Sequence, residues 1–195
     1  MKIIGVTGSI GMGKTTVAGQ FAYLGCPSHN SDKAVHHALQ PGGGAFEEVA
    51  VTFPEAWDKK KHIIRKDVLS KLVFTNEKKR KELEDILHPI VRCDQGMFIR
   101  KQKKMGRDRV VLDIPLLFET GAEARVHYTV LASAPFFIQR MRVLKRKGMT
   151  EEKFIAILES QMPDVEKRKR ADFIVQTGLG RAFSMSQVKQ ILKEI

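Results

Sequence analysis

The sequence predicts an α/β fold: a parallel sheet covered by helices. Three observations predict it. A glycine-rich phosphate-binding pattern lies between an apolar run and a helical run near the start. Further short apolar runs alternate with amphipathic stretches along the chain. One of those runs, Arg109-Val110-Val111-Leu112-Asp113, ends in a carboxylate.

The first element is Lys2-Ile3-Ile4-Gly5-Val6, a short apolar run of the kind a buried parallel strand shows. Gly8-Ser9-Ile10-Gly11-Met12-Gly13-Lys14-Thr15 follows and fits G-x-x-x-x-G-K-[ST] at every fixed position. Residues from Thr16 to Leu24 are apolar at helical spacing and stop at Gly25, a C-cap residue. Strand, glycine loop and helix together place backbone N–H groups and a helix N-terminus around a phosphate chain. Lys14 is expected to reach the β- and γ-phosphates, and the Thr15 hydroxyl to ligate Mg²⁺.

At 195 residues the chain is long enough for one domain with inserted subregions. Its hydrophobic content of 43% is ordinary for a soluble globular protein. No apolar run approaches the ~20 residues that span a bilayer. The chain enters its first strand at once, so no signal peptide and a cytoplasmic location are expected. Cys26 and Cys93 have neither metal-ligand nor CxxC spacing and read as reduced thiols. A net charge of +12 fits either nucleic acid or a highly phosphorylated small molecule. The basic runs, Lys167 to Arg170 among them, lack interleaved aromatic residues and read as solvated helix faces.

The segment Gly25 to Asp32 is expected to hold a short second strand carrying Asp32 at its end. Ligands in open α/β sheets bind outside such strand ends, so Asp32 fits a general base or metal ligand. It fits equally an N-cap for a helix from Lys33 to Leu39. His36 and His37 are adjacent and read as ordinary helical residues. Gln40 to Gly44 is a loop by composition. Helices are expected over Ala45 to Phe53, Arg65 to Phe74 and Asn76 to Leu87, with an irregular connection from Phe53 to His62. His88-Pro89 is expected to interrupt the last helix, which resumes from Ile90 to Met105. Successive helices without a strand suggest an insertion on one side of the sheet.

Asp113 fits a Mg²⁺-holding strand-end carboxylate, with a turn-initiating role as the alternative. Glu119 fits either substrate binding or a cap. Tyr128 to Ala132 reads as a fourth strand and Phe136 to Lys147 as a helix. Its Arg142 and Arg146, four apart, are expected on one face. On a mobile helix they would neutralise phosphoryl charge; otherwise they form a solvated basic face. Thr150 reads as the N-cap of a helix running to about Gln161 and breaking at Pro163. Phe173 to Val175 reads as a fifth strand and Ser186 to Ile195 as a closing helix.

Several segments, in this order, resemble the dephospho-CoA kinase family: Gly5 to Lys14, Asn30-Ser31-Asp32, and Leu87-His88-Pro89-Ile90-Val91-Arg92. Leu112-Asp113-Ile114-Pro115-Leu116-Leu117-Phe118-Glu119, Ser160-Gln161-Met162-Pro163, and Lys167-Arg168 with Ala171-Asp172 continue it. The likeness runs from Ile3 to about Gly178 and loosely beyond.

The resemblance implies a P-loop kinase fold: a five-stranded parallel sheet flanked by helices, a helical substrate-binding insertion and a short lid. The whole chain, 1–195, would form a single kinase domain. Its nucleotide-binding core would comprise 1–53, 107–135 and 170–195, the insertion 54–106, and the lid with its following helix 136–169. The implied reaction is ATP-dependent phosphorylation of the ribose 3′-hydroxyl of dephospho-CoA. The implied catalytic residues are Asp32 as base with Lys14, Arg142 and Arg146. Nucleotide binding falls to Gly8, Gly11, Met12, Gly13, Lys14, Thr15 and Thr16, and Mg²⁺ to Thr15 and Asp113. Substrate binding falls to His88, Arg92, Pro115, Leu116 and Glu119. The family's usual Asp-Ala-Asp triplet stands here as Asn30-Ser31-Asp32, so the first acid is replaced by an amide. The implied partners are ATP and dephospho-CoA, without nucleic acid or membrane, in a monomer or weak oligomer.

Overall fold

The computed structural model describes residues 1–74 and 76–195. Two compact units emerge: Met1–Asn30 with Lys101–Ile195, and Ser31–Arg100.

The first unit is built on a five-stranded parallel sheet. Its strands are β1 (Lys2–Thr7), β2 (Ser28–Asn30), β5 (Arg109–Asp113), β6 (Tyr128–Ser133) and β7 (Phe173–Gln176), in the order β2-β5-β1-β6-β7. Val110, Val111 and Leu112 of β5 are all buried, the continuous apolar pattern of a strand covered on both faces. β1 is central, pairing with β5 on one side and β6 on the other. The chain order reverses there, which opens a crevice at the carboxyl ends of the strands. Helix α1 (Lys14–Tyr23) and helix α9 (Arg181–Glu194) pack on one face of the sheet. Val17, Ala18 and Phe21 of α1 join Ile4, Val6, Val111, Val130, Val188 and Ile191 in one apolar cluster. Phe21 is fully buried, and truncating it to alanine removes about 3–5 kcal/mol of stability. Helices α6 (Phe136–Leu144), α7 (Glu151–Glu159) and α8 (Asp164–Arg170) follow β6. Thr150 caps α7, its hydroxyl accepting from Lys153 N–H.

The second unit holds α2 (Ser31–Ala38), α3 (Phe46–Thr52), α4 (Lys66–Phe74) and most of α5 (Glu77–Lys104). A small antiparallel pair joins β3 (Trp57–Asp58), inside the expected irregular connection, to β4 (Ile63–Ile64), just beyond its end at His62. The expected insertion spans 54–106, whereas this unit begins at Ser31. Leu39, Phe46 and Phe53 bury in the same cluster as Ile64, Leu69 and Leu87, which draws α2 and α3 into it.

Local readings are corrected at several places. β2 ends at Asn30, and Asp32 lies in the first turn of α2 rather than on a strand end or at an N-cap. His88-Pro89 does not interrupt α5, which carries Pro89 in its interior. Leu83, Ile86, Leu87 and Ile90 pack into the apolar cluster on both sides of the proline. That packing offsets the ~3 kcal/mol an interior proline costs. Residues 164–170 form a helix, and Lys167 within it is fully buried rather than solvated. Among the described residues no helix is long and apolar enough to cross a membrane.

Candidate active site

The phosphate loop occupies the turn between β1 and α1. Gly13 precedes α1 with φ 89°, and no side chain caps the helix. The helix N-terminus therefore offers its N–H groups and positive dipole end to an anion. Gly11 has φ 76°, and a Cβ there would stand 2.5 Å from Val143 Cγ2 and 3.0 Å from Gln139 O. Only glycine allows α6 to lie this close to the loop. Met12 turns inward, buried, and its sulfur accepts from Ala134 N–H at 3.1 Å. Gly8, at the loop's start, would drive a Cβ to 2.6 Å from Ala132 O. Thr15 is exposed, and Thr16 N–H bonds back to Gly13 O.

Lys14 Nζ pairs with Asp113 Oδ1, and Asn30 Nδ2 donates to Asp113 Oδ2 at 2.9 Å. Asp113 is 1% exposed at the end of β5. Parallel pairing of β1 and β2 with β5 brings these three residues together: Val6 stands opposite Asp113, and so does Asn30. A buried carboxylate beside the loop lysine suits a divalent cation bound to phosphates. Among the described residues no three His, Cys, Asp or Glu side chains gather as a metal cage. A Mg²⁺ ion takes one or two protein oxygens and completes its shell from phosphates and water.

After β5 the chain stays near the end of β1. Ile114 N–H bonds to Val6 O, and the Thr7 hydroxyl donates to Pro115 O at 3.1 Å. Pro115 and Leu116 are half-buried. Glu119 Oε1 accepts from Met162 N–H at 3.0 Å and pairs with Lys167 Nζ at 2.8 Å. Lys167 thus spends its charge inside the unit.

Arg142 Nη2 donates to Thr177 O at 2.7 Å, and its Nη1 to Thr177 Oγ1 at 2.9 Å and Gly11 O at 3.4 Å. Its guanidinium is held at the loop rather than on a free helix face. Arg146 is exposed and follows the last residue of α6, Leu144. The two arginines therefore do not share a helix face, because the helix ends between them. Arg140 and Glu151 form a two-pronged pair between α6 and α7, at 2.8 and 2.7 Å. The Glu151 carboxylate raises the Arg140 pKa above its ordinary value, through its hydrogen bond first and its charge second.

In the second unit, Asp32 is exposed in the first turn of α2, next to buried Ser31. Gln95 Nε2 donates to Ser31 Oγ at 3.0 Å, tying α5 to the start of α2. His88, Arg92 and Gln95 follow helical spacing and share one face of α5. The unit thereby ties Ser31, the residue before Asp32, to the face that carries His88 and Arg92.

Three residues escaped sequence reading: Gln139 and Thr177 around the loop of the first unit, and Gln95 against Ser31 in the second; Gln161 was read only within the Ser160-Gln161-Met162-Pro163 segment, without a role of its own. All three are uncharged polar residues and buried. Their only sequence signal is a polar residue in or beside an apolar helical or strand run, which many surface residues also show.

Residues 2–180 match the family model described as dephospho-CoA kinase. A dephospho-CoA kinase of Mesorhizobium japonicum is 44% identical over 195 residues, covering all of this chain and 97% of that protein. One of Brucella melitensis is 48% identical over 177 residues, covering 91% of this chain and 86% of that protein. Among solved structures, TT1252 from Thermus thermophilus superposes with a TM-score of 0.85 at 35% identity, covering 100% of this chain and 97% of that one. The dephospho-CoA kinase from Campylobacter jejuni superposes with a TM-score of 0.71 at 28% identity, covering 98% and 96%. A phosphate loop on a five-stranded parallel sheet, the Asp-Ile-Pro-Leu-Leu-Phe-Glu segment that starts at the last residue of β5, and these matches over nearly the full length agree: the chain belongs to the dephospho-CoA kinase family.

Proposed function

We propose that this protein transfers the γ-phosphoryl group of ATP to the ribose 3′-hydroxyl of dephospho-CoA, giving ADP and coenzyme A. The observation that carries this reading is the pairing of the loop lysine with a buried strand-end carboxylate, Lys14 with Asp113, in a chain of this family.

The loop from Gly8 to Thr16, including Gly11, Met12 and Gly13, binds the phosphates. Thr15 and Asp113 hold Mg²⁺, which when bound neutralises charge on the transferring group. With nucleotide present, Lys14 exchanges Asp113 for the phosphates. Asp32 accepts the 3′-hydroxyl proton as the new O–P bond forms and the bond to the ADP oxygen breaks. Arg142 and Arg146 neutralise the charge that spreads over the phosphoryl oxygens. His88, Arg92, Pro115, Leu116 and Glu119 bind the acceptor. His88 and Arg92 come from one face of α5, and Pro115 from the segment anchored on Thr7. Glu119 has one oxygen committed to Lys167 and Met162.

Two polyanionic substrates account for part of the +12 net charge without nucleic acid. The working form proposed is a monomer or weak oligomer. We place it in the cytoplasm, where Cys26 and Cys93 stay reduced. The test is ADP release with Mg²⁺–ATP and a panel of single acceptors: dephospho-CoA, nucleosides, nucleoside monophosphates and shikimate. Turnover with dephospho-CoA alone is expected. Turnover with another acceptor and none with dephospho-CoA would reassign the enzyme within the P-loop kinases.

A further inference from the structure

The carbonyls at the tip of the phosphate loop are held from outside the loop, one after another. Gln139 Nε2, on α6, donates to Ile10 O at 2.8 Å. Arg142 Nη1, one turn further along α6, lies 3.4 Å from Gly11 O. The Thr177 hydroxyl, just after β7, donates to Met12 O at 2.6 Å. On the other side of Ile10, its N–H donates to Gln161 Oε1 at 3.1 Å. Gln139 is 3% exposed and Thr177 5%, so both donor side chains are buried.

These bonds decide where the loop's own N–H groups point. In a trans peptide the carbonyl and the following N–H lie on opposite sides of the chain. Fixing Ile10 O toward Gln139 turns the Gly11 N–H the other way. Fixing Met12 O toward Thr177 does the same for the Gly13 N–H. Met12 N–H closes the turn onto Ser9 O at 3.1 Å. Glycine at 11 and 13 leaves these peptides little intrinsic preference, with φ of 76° and 89°. The orientation must therefore come from outside, and two buried donors supply it.

We propose that Gln139 and Thr177 are positioning residues for the nucleotide: they orient the Gly11 and Gly13 N–H groups toward the phosphates. The proposal rests on the reading that the loop binds ATP. A donor is what each position needs. Thr177→Ser keeps the hydroxyl, whereas Thr177→Val keeps only the shape. Gln139→Met keeps length and removes the donor, and Gln139→Glu presents an acceptor to a carbonyl.

The experiment is calorimetric titration of each purified, folded variant with Mg²⁺–ADP, beside steady-state KM for dephospho-CoA. Thr177→Val, Gln139→Met and Gln139→Glu are expected to bind ADP about tenfold more weakly. Thr177→Ser is expected to stay within about twofold of the parent, and KM for dephospho-CoA to move by less than about twofold in all four. A purely structural role lowers the melting temperature and leaves the ADP affinity alone; parental affinity in folded Gln139→Met or Gln139→Glu would overturn the proposal. Should Thr177→Val fail to fold, the Gln139 pair and Thr177→Ser decide. A parent protein that binds no ADP would bring down the kinase reading itself, which is a different result from equal binding by parent and variants.

Discussion

Asn30 Nδ2 donates to Asp113 Oδ2 at 2.9 Å, so the carboxylate at the end of β5 is bonded by an amide on one oxygen and by Lys14 on the other. The family's usual acid at position 30 would set two carboxylates in this contact. Asn30→Asp replaces the bond by like-charge contact and should cost about 1–3 kcal/mol without metal. Added Mg²⁺ should recover much of that loss, giving the variant a larger metal-induced rise in melting temperature than the parent. Thermal melts with and without Mg²⁺ check this; identical metal responses would show that the Asn30–Asp113 contact does not bear on the cation.

Lys14 has a structural duty besides the one proposed for it on the phosphates. Asp113 is almost fully buried and Lys14 only 11% exposed, so removing the lysine strands a buried charge. Lys14→Met should abolish turnover and lower stability by up to about 3 kcal/mol. The double variant Lys14→Met with Asp113→Asn should regain most of the stability and none of the turnover. Denaturant melts and ADP-release rates separate the two effects. A Lys14→Met protein as stable as its parent would show the pair to be energetically idle.

The apolar strands of the parallel sheet and the phosphate loop were legible because each is a local pattern, whereas the short β3–β4 pair was not read. Val110 to Leu112 are apolar without alternation, and the loop's fixed positions leave few readings. Asp113 was legible for the same reason, as an acid ending a buried strand. What local patterns could not carry was partnership. Nothing in a basic run distinguishes Lys167, fully buried against Glu119, from exposed Arg168 beside it. Gln139 meets Ile10 across 129 residues of chain and Thr177 meets Met12 across 165. Pro89 misled because its local cost is real but is offset by tertiary packing on both sides. The expected shared face of Arg142 and Arg146 failed at a helix end, the least legible feature of a helix.

The two cysteines should differ sharply toward alkylation. Burial pushes the Cys26 thiol above its ordinary value, more than the neighbouring Arg109 charge lowers it, while Cys93 is exposed on α5. A raised pKa leaves less thiolate at any pH below it, and the thiolate is the nucleophile. Iodoacetamide at pH 8 should modify Cys93 in the native protein and Cys26 only after unfolding. Peptide mass mapping reads this directly, and comparable native labelling at both sites would contradict the burial of Cys26.

Asp32 is exposed in the first turn of α2, whose start is tied to α5 through Ser31 and Gln95. Asp32→Asn removes a first-turn charge worth about 0.3–1 kcal/mol and leaves that tie intact. It also removes the proposed proton acceptor. Turnover should fall ~10²–10⁴-fold with ADP affinity unchanged. A melting curve and a rate settle it, and a normal rate in a normally melting variant would remove Asp32 from the chemistry.

The acceptor position decides the reaction: the phosphoryl group is proposed to go to the ribose 3′-hydroxyl. The most direct measurement is phosphorus NMR of the product formed by the parent protein from Mg²⁺–ATP and dephospho-CoA. One new phosphomonoester resonance coupled to the ribose 3′ proton, growing in step with ADP, is the predicted result. ADP without a new phosphomonoester, or a phosphate at any other position, would contradict it.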